Sequence, residues 1–501
     1  MTVIVEQQED SGSARVTTSK QAARAVDPWN GHVEQNPVIE GCEFVYENTD
    51  LVRVDDDGVE AAAEYIHQKM LSESYSPRTW RTHPLHIMPD DTKSLHDPAN
   101  VRVLDWIFLI SSLNFSFWSE REGTEARYGV KWQESCTDTR PKVFTGYWSL
   151  VAALNRALSE GIPIIDPKFY ADKEACPDEL IAHVFRRAPQ SEEDIPLLQE
   201  RINIMRENGR ILCENFGGSF VGFIDAFHAR HASQGTALDL VKMVTETFPF
   251  FRDETVFEGR RVCIWKRAQI LVAELWAAFF PDALPESSTP ASSSSLTSSP
   301  PSTLSNNSLP PTSAATVPAS TPTSTSTTLA LTPASRINAE IIPTFASPTP
   351  PHPLFPGPRG PAIGSLTMFA DYRVPQVLHH LRILQYSPAL ERMLREYAYL
   401  ENGSKEEVAL RAGSVLAVER VREAIERRVA VRNSIIGGEK TEGKRGDAPE
   451  SERGGNIEVS SVLIDFYLWD LAKRVESGAE RIEGIETAEV LPAHRTRSIW
   501  Y

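Results

Sequence analysis

The feature that most constrains this chain is a tract from about Asp282 to Pro361. There Ser, Thr and Pro follow one another without periodicity, as in SSTPASSSSLTSSPPSTLSNNSLPPTSAATVPASTPTSTSTT. Such a run cannot bury enough apolar surface to offset its ordering entropy, so it is expected to be disordered. Folded structure must then be built from the sequence on either side. The two sides need not be separate domains, because lengthening a surface loop adds closure entropy only slowly. A second polar gap, 437–456, interrupts the later part in the same way, and residues 1–27 form a polar lead-in. The expected layout is one composite globular domain of 28–281 and 362–501, starting near Pro28-Trp29-Asn30 and carrying two disordered insertions.

Periodicity makes that domain mainly α-helical with a few short strands. Short helices are expected between Pro37 and Met88, where Val59, Ala62, Ile66 and Met70 recur at helical spacing. Arg127–Trp132 and Lys142–Thr145 read as a hairpin, followed by a helix with Trp148, Val151, Leu154 and Leu158 on one face and Gly161 and Pro163 at its end. Further helices are expected over 177–187, 192–215, 218–230, 237–247, 264–280, 387–399, 405–430 and 459–475. Phe257–Val262 reads as a tight turn, and Trp265, Ala268, Val272, Trp276 and Phe279 make an apolar stripe beside which Lys266 is expected to snorkel to water.

Composition excludes several classes of function. A net charge of −17 disfavours nonspecific binding to nucleic acid or anionic membranes, although a small anion needs only a few local cations. Five scattered cysteines without a CxxC pair point to a reducing compartment and away from structural zinc. No secretory leader and no membrane-length apolar run is found, so a cytoplasmic protein, with the nucleus also open to it, is expected.

Candidate chemistry gathers around Met368-Phe369-Ala370-Asp371-Tyr372-Arg373-Val374-Pro375. Pro375 suits the first position of a helix carrying Val377, Leu378, Leu381 and Leu384, which delivers Asp371, Tyr372 and Arg373 to its positive end. An acid, a phenol and a guanidinium there suit a phosphorylated ligand; equally, Asp371 caps the helix and Arg373 pairs with it. In Val101–Glu120, Asp105 and Asn114 need partners if buried, and Asn114 with Phe115 and Trp118 has the chemistry to grip a flat heterocycle. His83 and His86 are not at metal-helix spacing, and a structural or substrate-contacting imidazole is expected. Val462–Asp470 places Asp465 and Asp470 in a strongly apolar setting.

Taken together, Leu113-Asn114-Phe115-Ser116-Phe117-Trp118, Gly146-Tyr147-Trp148-Ser149-Leu150, Phe216-Gly217-Gly218-Ser219, Phe248-Pro249, Trp265–Leu271, Met368–Gln376, Asp465-Phe466-Tyr467-Leu468-Trp469-Asp470 and His494-Arg495 to Trp500-Tyr501 resemble the queuosine salvage protein family. The resemblance covers nearly all of the chain outside the lead-in and insertions. It implies hydrolysis of the N-glycosidic bond of queuosine 5'-monophosphate, releasing queuine and ribose 5-phosphate. It also implies a helical fold similar to DNA glycosylases, with no metal, no redox cofactor and no direct nucleic-acid partner. Asp371 and Lys266 match the catalytic centre. Lys266, Arg373 and His86 are then expected on the 5'-phosphate, Phe115, Trp118 and Phe250 on the base face, and Asn114 on its edge. The proton donor is open between water and a second acid, Asp253 or Asp465. Two other classes stand beside this reading: a glycosylase acting on a base flipped from nucleic acid, and a noncatalytic helical scaffold.

Overall fold

A computed structural model describes residues 36–133, 141–281, 350–439 and 459–501, without the side chains of 435–439. The expected lead-in, most of the Ser/Thr/Pro tract and nearly all of the second gap lie outside the described residues.

Helices dominate. In chain order they are α1 (Pro37–Glu47), α2 (Asp56–Ser72), α3 (Pro98–Ser112), α4 (Tyr147–Ser159), α5 (Pro167–Ala171), α6 (Asp178–Val184), α7 (Leu198–Asn215) and α8 (Phe220–Arg230). Then follow α9 (Ala237–Thr247), α10 (Lys266–Ala278), α11 (Val374–His380), α12 (Pro388–Arg395), α13 (Lys405–Glu439) and α14 (Ser461–Glu476). The strands form three separate antiparallel pairs. β1 (Val52–Val54) meets β6 (Leu384–Tyr386), β2 (Gly129–Trp132) meets β3 (Lys142–Thr145), and β4 (Glu254–Phe257) meets β5 (Arg260–Cys263). Among the described residues no helix is long and apolar enough to cross a membrane.

The centre of the core is α10, all thirteen of whose residues are buried. It is not the one-faced helix that its apolar stripe suggested, and Lys266 does not reach water. α3, α9 and the 3-10 helix Pro77–Thr82 pack around it, so its polar residues must find partners inside. Arg267 donates to the carbonyls of Ser112 and Phe250. Gln269 donates to Thr367 Oγ1 at 2.9 Å and accepts from the Thr367 amide at 2.9 Å. Asn36, whose side chain accepts from the Val38 amide at the start of α1, also donates to Gln269 and to the Ser365 carbonyl.

These bonds join sequence from both sides of the Ser/Thr/Pro tract, and the described parts before Asp282 and after Pro350 form one compact unit. The unit begins again earlier than composition indicated. Within 350–361, assigned above to the insertion, His352, Leu354 and Phe355 are buried, and His352 Nε2 donates to the Trp276 carbonyl at 3.1 Å.

Other differences have local causes. Pro375 stands second in α11, after Val374, and α11 stops at His380, so Leu384 lies in β6 rather than on the same helix. Pairing with β1, distant in sequence, overrides the helical spacing there. The turn at Glu258-Gly259 has positive φ at both residues (45° and 78°), the geometry that closes a two-residue hairpin, so the turn was legible and its two strands were not.

Candidate active site

α10 supplies one wall of a cavity of about 210 Å³ through Lys266, Ile270 and Glu274, which share a face by their four-residue spacing. Around it stand Trp80, His83 and His86, Asn114, Tyr147 and Trp148 at the start of α4, Phe369 and Asp371, and one face of α14 made of Asp465, Phe466, Trp469 and Asp470.

Lys266 is the first residue of its helix. Trp265, just before it, is held in the left-handed region (φ 51°), which ends the β5 connection and turns the chain into α10. The Lys266 amide donates to Asp253 Oδ2 at 3.1 Å and its Nζ to the Asn114 carbonyl at 3.4 Å. Burial lowers its pKa to about 8, opposed most strongly by the negative charge of Asp371.

Asp371 is half-buried. Its Oδ1 accepts the amides of Arg373 and Val374, each at 2.8 Å, so the capping role is real. Asp371 nevertheless lines the cavity, and among the described residues its Oδ2 has no hydrogen-bond partner. Asp465 is buried on α14, and its Oδ1 accepts the Phe369 amide at 3.0 Å. Burial, reinforced by the charge of Asp371, pushes the pKa of its carboxyl well above the usual carboxylate range, which favours the protonated form. Asp371, half-buried, and Asp465, fully inside, thus bring two carboxyls from segments far apart in sequence to one cavity.

Glu274 lies farther along the same wall. It accepts from Ser111 Oγ at 2.9 Å and Tyr147 OH at 3.3 Å, and burial raises its pKa to about 7. Asp470 accepts from Tyr75 OH at 2.8 Å and is raised by burial too. Aromatic rings make the remaining surface. His83 stacks on Trp148 with centroids 3.4 Å apart, Trp80 stacks on His86 at 4.1 Å, and Trp469 stands edge-on to Tyr147 at 6.0 Å. Flat walls with a few polar groups suit a planar heterocycle.

Of the residues singled out from sequence, the fold brings Asp371, Lys266, Asp465, Asn114 and His86 to this cavity, together with His83 and Asp470. His86 is not the expected phosphate cation. Burial drives its pKa to about 3, and Nδ1 donates to the Trp80 carbonyl at 2.8 Å, which leaves a neutral ring with Nε2 as an acceptor.

The other six lie elsewhere. Phe115 is fully buried, with the Arg201 guanidinium 4.2 Å from its ring centre. Trp118 donates to the Thr496 carbonyl at 2.7 Å and is covered by Arg497 at 3.6 Å. Phe250, in the 3-10 helix Pro249–Phe251, offers its carbonyl to Arg267. Asp253 is buried against Arg411 at 2.5 Å. Tyr372 and Arg373 line a different cavity of about 710 Å³, where Arg373 bridges Glu122 and Glu476 at 2.9 Å each. In the turn before α11, Asp371 and its two successors therefore serve different cavities, and the Arg373 guanidinium pairs with Glu122 and Glu476 rather than with Asp371.

Sequence reasoning passed over Glu274, Trp80, Trp148, Trp469 and Phe369 as site residues. For Glu274 a signal existed: it stands eight residues after Lys266, on the same helical face. Trp469 likewise follows Asp465 by four. The Trp80–His86 segment carries no such signal, because its place depends on packing against α10.

Comparison with known proteins fits this geometry. A family model described as "Queuosine salvage protein" matches residues 95–286 and 359–501. A Schizosaccharomyces pombe protein named queuosine 5'-phosphate N-glycosylase/hydrolase is 32% identical over 464 residues, 93% of this chain and 99% of that protein. The mouse protein of the same name is 31% identical over 470 residues, 92% of this chain and 98% of its own. One from the bacterium Sphaerobacter thermophilus is 29% identical over 458 residues, 91% and 95% of the two chains. The family match skips most of the Ser/Thr/Pro tract and spans α10, the Asp371 turn and α14, so this chain belongs to the queuosine salvage protein family.

Proposed function

We propose that this protein hydrolyses the N-glycosidic bond of queuosine 5'-monophosphate, releasing queuine and ribose 5-phosphate. The names of its relatives supply the substrate. The observation that carries the reading is the convergence of Asp371, Lys266 and Asp465 on one aromatic-walled cavity. A small nucleotide is the partner, and we extend the helical architecture to a single catalytic domain of DNA-glycosylase type, which its wealth of helices and paucity of strands support.

Cleavage of a ribosyl C–N bond passes through an oxocarbenium-like state. Asp371, beside Lys266, faces the anomeric carbon and its carboxylate stabilises the charge developing there, or attacks it to form a ribosyl ester that water opens. A deazapurine leaves poorly as an anion. Asp465, whose buried setting favours the protonated carboxyl, donates to the departing base. This favours Asp465 over Asp253, whose carboxylate is engaged by Arg411.

Lys266 is the only Lys or Arg among the described residues lining the cavity, so we assign it to the 5'-phosphate as well as to Asp371. Arg373, held by two glutamates, and His86, neutral, drop out of that role. Trp80, Trp148 and Trp469 take the base-stacking role that sequence gave to Phe115, Trp118 and Phe250, while Asn114 keeps its place at the base edge.

The test is release of free queuine from queuosine 5'-monophosphate by the purified protein, beside Asp371→Asn and the unphosphorylated nucleoside. Wild type should release queuine, more slowly from the nucleoside. Folded wild type that releases none from either substrate rules the reading out.

A further inference from the structure

The two residues given the central roles above sit on segments far apart in sequence, and one buried guanidinium touches the support of each. Arg411, on α13 and 2% exposed, donates from Nη1 to Asp253 Oδ1 at 3.0 Å and from Nη2 to Asp253 Oδ2 at 2.5 Å. That carboxylate is the one that accepts the Lys266 amide, and the Asp253 carbonyl accepts the Ile264 and Trp265 amides at 2.9 and 3.2 Å. Asp253 therefore holds three successive N–H groups at the bend where α10 begins. With its Nε, Arg411 donates to the carbonyl of Ala370 at 3.3 Å, the peptide immediately before Asp371.

We propose that Arg411 is a positioning residue of the hydrolase, fixing the separation of Lys266 and Asp371 by holding Asp253 with one edge of its guanidinium and Ala370 with the other. The inference rests on the reading of Lys266 and Asp371 given above.

The geometry of arginine is what the role requires. A planar fork offers five N–H groups in fixed directions, so a bidentate carboxylate and a third acceptor can be satisfied together and are thereby set relative to one another. Glu407, one turn earlier on α13, lies 3.4 Å from Nη1, and the Tyr501 ring lies 4.8 Å from the guanidinium centre. Trp500 offers its carbonyl to Nη2 at 3.4 Å. With every edge engaged, Arg411 is stationary, and its positive charge persists because two buried carboxylates face it. It does not line the cavity and takes no part in the chemistry itself.

Arg411→Lys keeps the charge and loses the fork. The expected result is a fall of kcat on the order of 100-fold, from misplacement on the scale of 1 Å, with KM changed less than about threefold. Asp253→Asn separates the two arms, since Arg411 can still reach Ala370. There the alkaline limb of the kcat profile should move to lower pH, because Lys266 loses a neighbouring negative charge while the Arg411 cation remains. A merely structural pair would lower the melting temperature and leave kcat per folded molecule at its wild-type value in both variants, and that result overturns the proposal. If both variants fail to fold, Glu407→Gln, which loosens Arg411 from the far side, decides on the same two readouts. Wild-type protein that releases no queuine would instead remove the hydrolase reading, so the two failures are told apart.

Discussion

The hydrogen bonds that Asp371 accepts at the start of α11 and the role proposed for it in the reaction can be separated by substitution. Asn retains an oxygen able to accept the Arg373 and Val374 amides, so Asp371→Asn should keep the fold while lowering queuine release by about 1,000-fold or more, the scale of a lost transition-state charge partner. Asp371→Ala should lose the same activity and, in addition, about 1 kcal/mol of stability from the missing cap, readable by chemical denaturation. Lys266, with a pKa near 8, predicts an alkaline limb there: the ammonium is present below that pH and lost above it, and activity should fall with it. Glu274 gives a stability signature of opposite bearing. Its folded pKa of about 7 lies above its ordinary value, so the stability it contributes is fully present at low pH and is lost as pH rises through about 7. Melting temperatures measured from pH 5 to 8 should therefore fall more for wild type than for Glu274→Gln. At this scale the sequence singled out Lys266, Asp371, Asp465, Asn114 and His86, which the fold brings to one cavity, but not that Arg373 faces another cavity or that burial keeps His86 neutral. Residue type shows that a group can carry charge, whereas burial and neighbouring charges decide whether it does, and those come only with the fold.

Helices were legible where apolar residues recur over several turns, as in α4, α9 and α14, and least so where a distant strand claimed the segment, as β1 claims Leu384. α10 shows why the site could be read only in part from its elements. Its apolar stripe was visible, but the burial of its polar side as well follows from α3, α9 and the Pro77–Thr82 helix closing around it. A packing test lies at Gly58, in the first turn of α2. A Cβ there would stand 2.1 Å from the carbonyl oxygen of Arg382, which no side-chain rearrangement relieves. In an open helix, replacing Gly with Ala stabilises by about 1 kcal/mol. Gly58→Ala should instead destabilise by about 2 kcal/mol or more, because α2 or the turn before β6 must move, and denaturant unfolding checks the sign.

The whole molecule is assembled across a gap in its own sequence. His352 reaching the Trp276 carbonyl, and Gln269 gripping Thr367, bring the two flanks of the Ser/Thr/Pro tract into direct contact, and the family match omits most of that tract. Replacing 282–349 with a Gly/Ser linker of about ten residues should leave kcat within about twofold and the melting temperature nearly unchanged, as closure entropy varies slowly with length. A large loss of turnover in such a variant would give the tract a part in the reaction. The joining of the flanks has a further consequence for how the protein is born. α10 is buried on every side, yet some of its partners, among them Thr367, emerge from the ribosome only after the intervening tract has been translated. At 5–20 residues per second, the tract and all that follows occupy roughly 10–40 s. For that interval the central helix of the core is without its final covering, and the nascent chain should be a client of the chaperones that meet it at the exit tunnel.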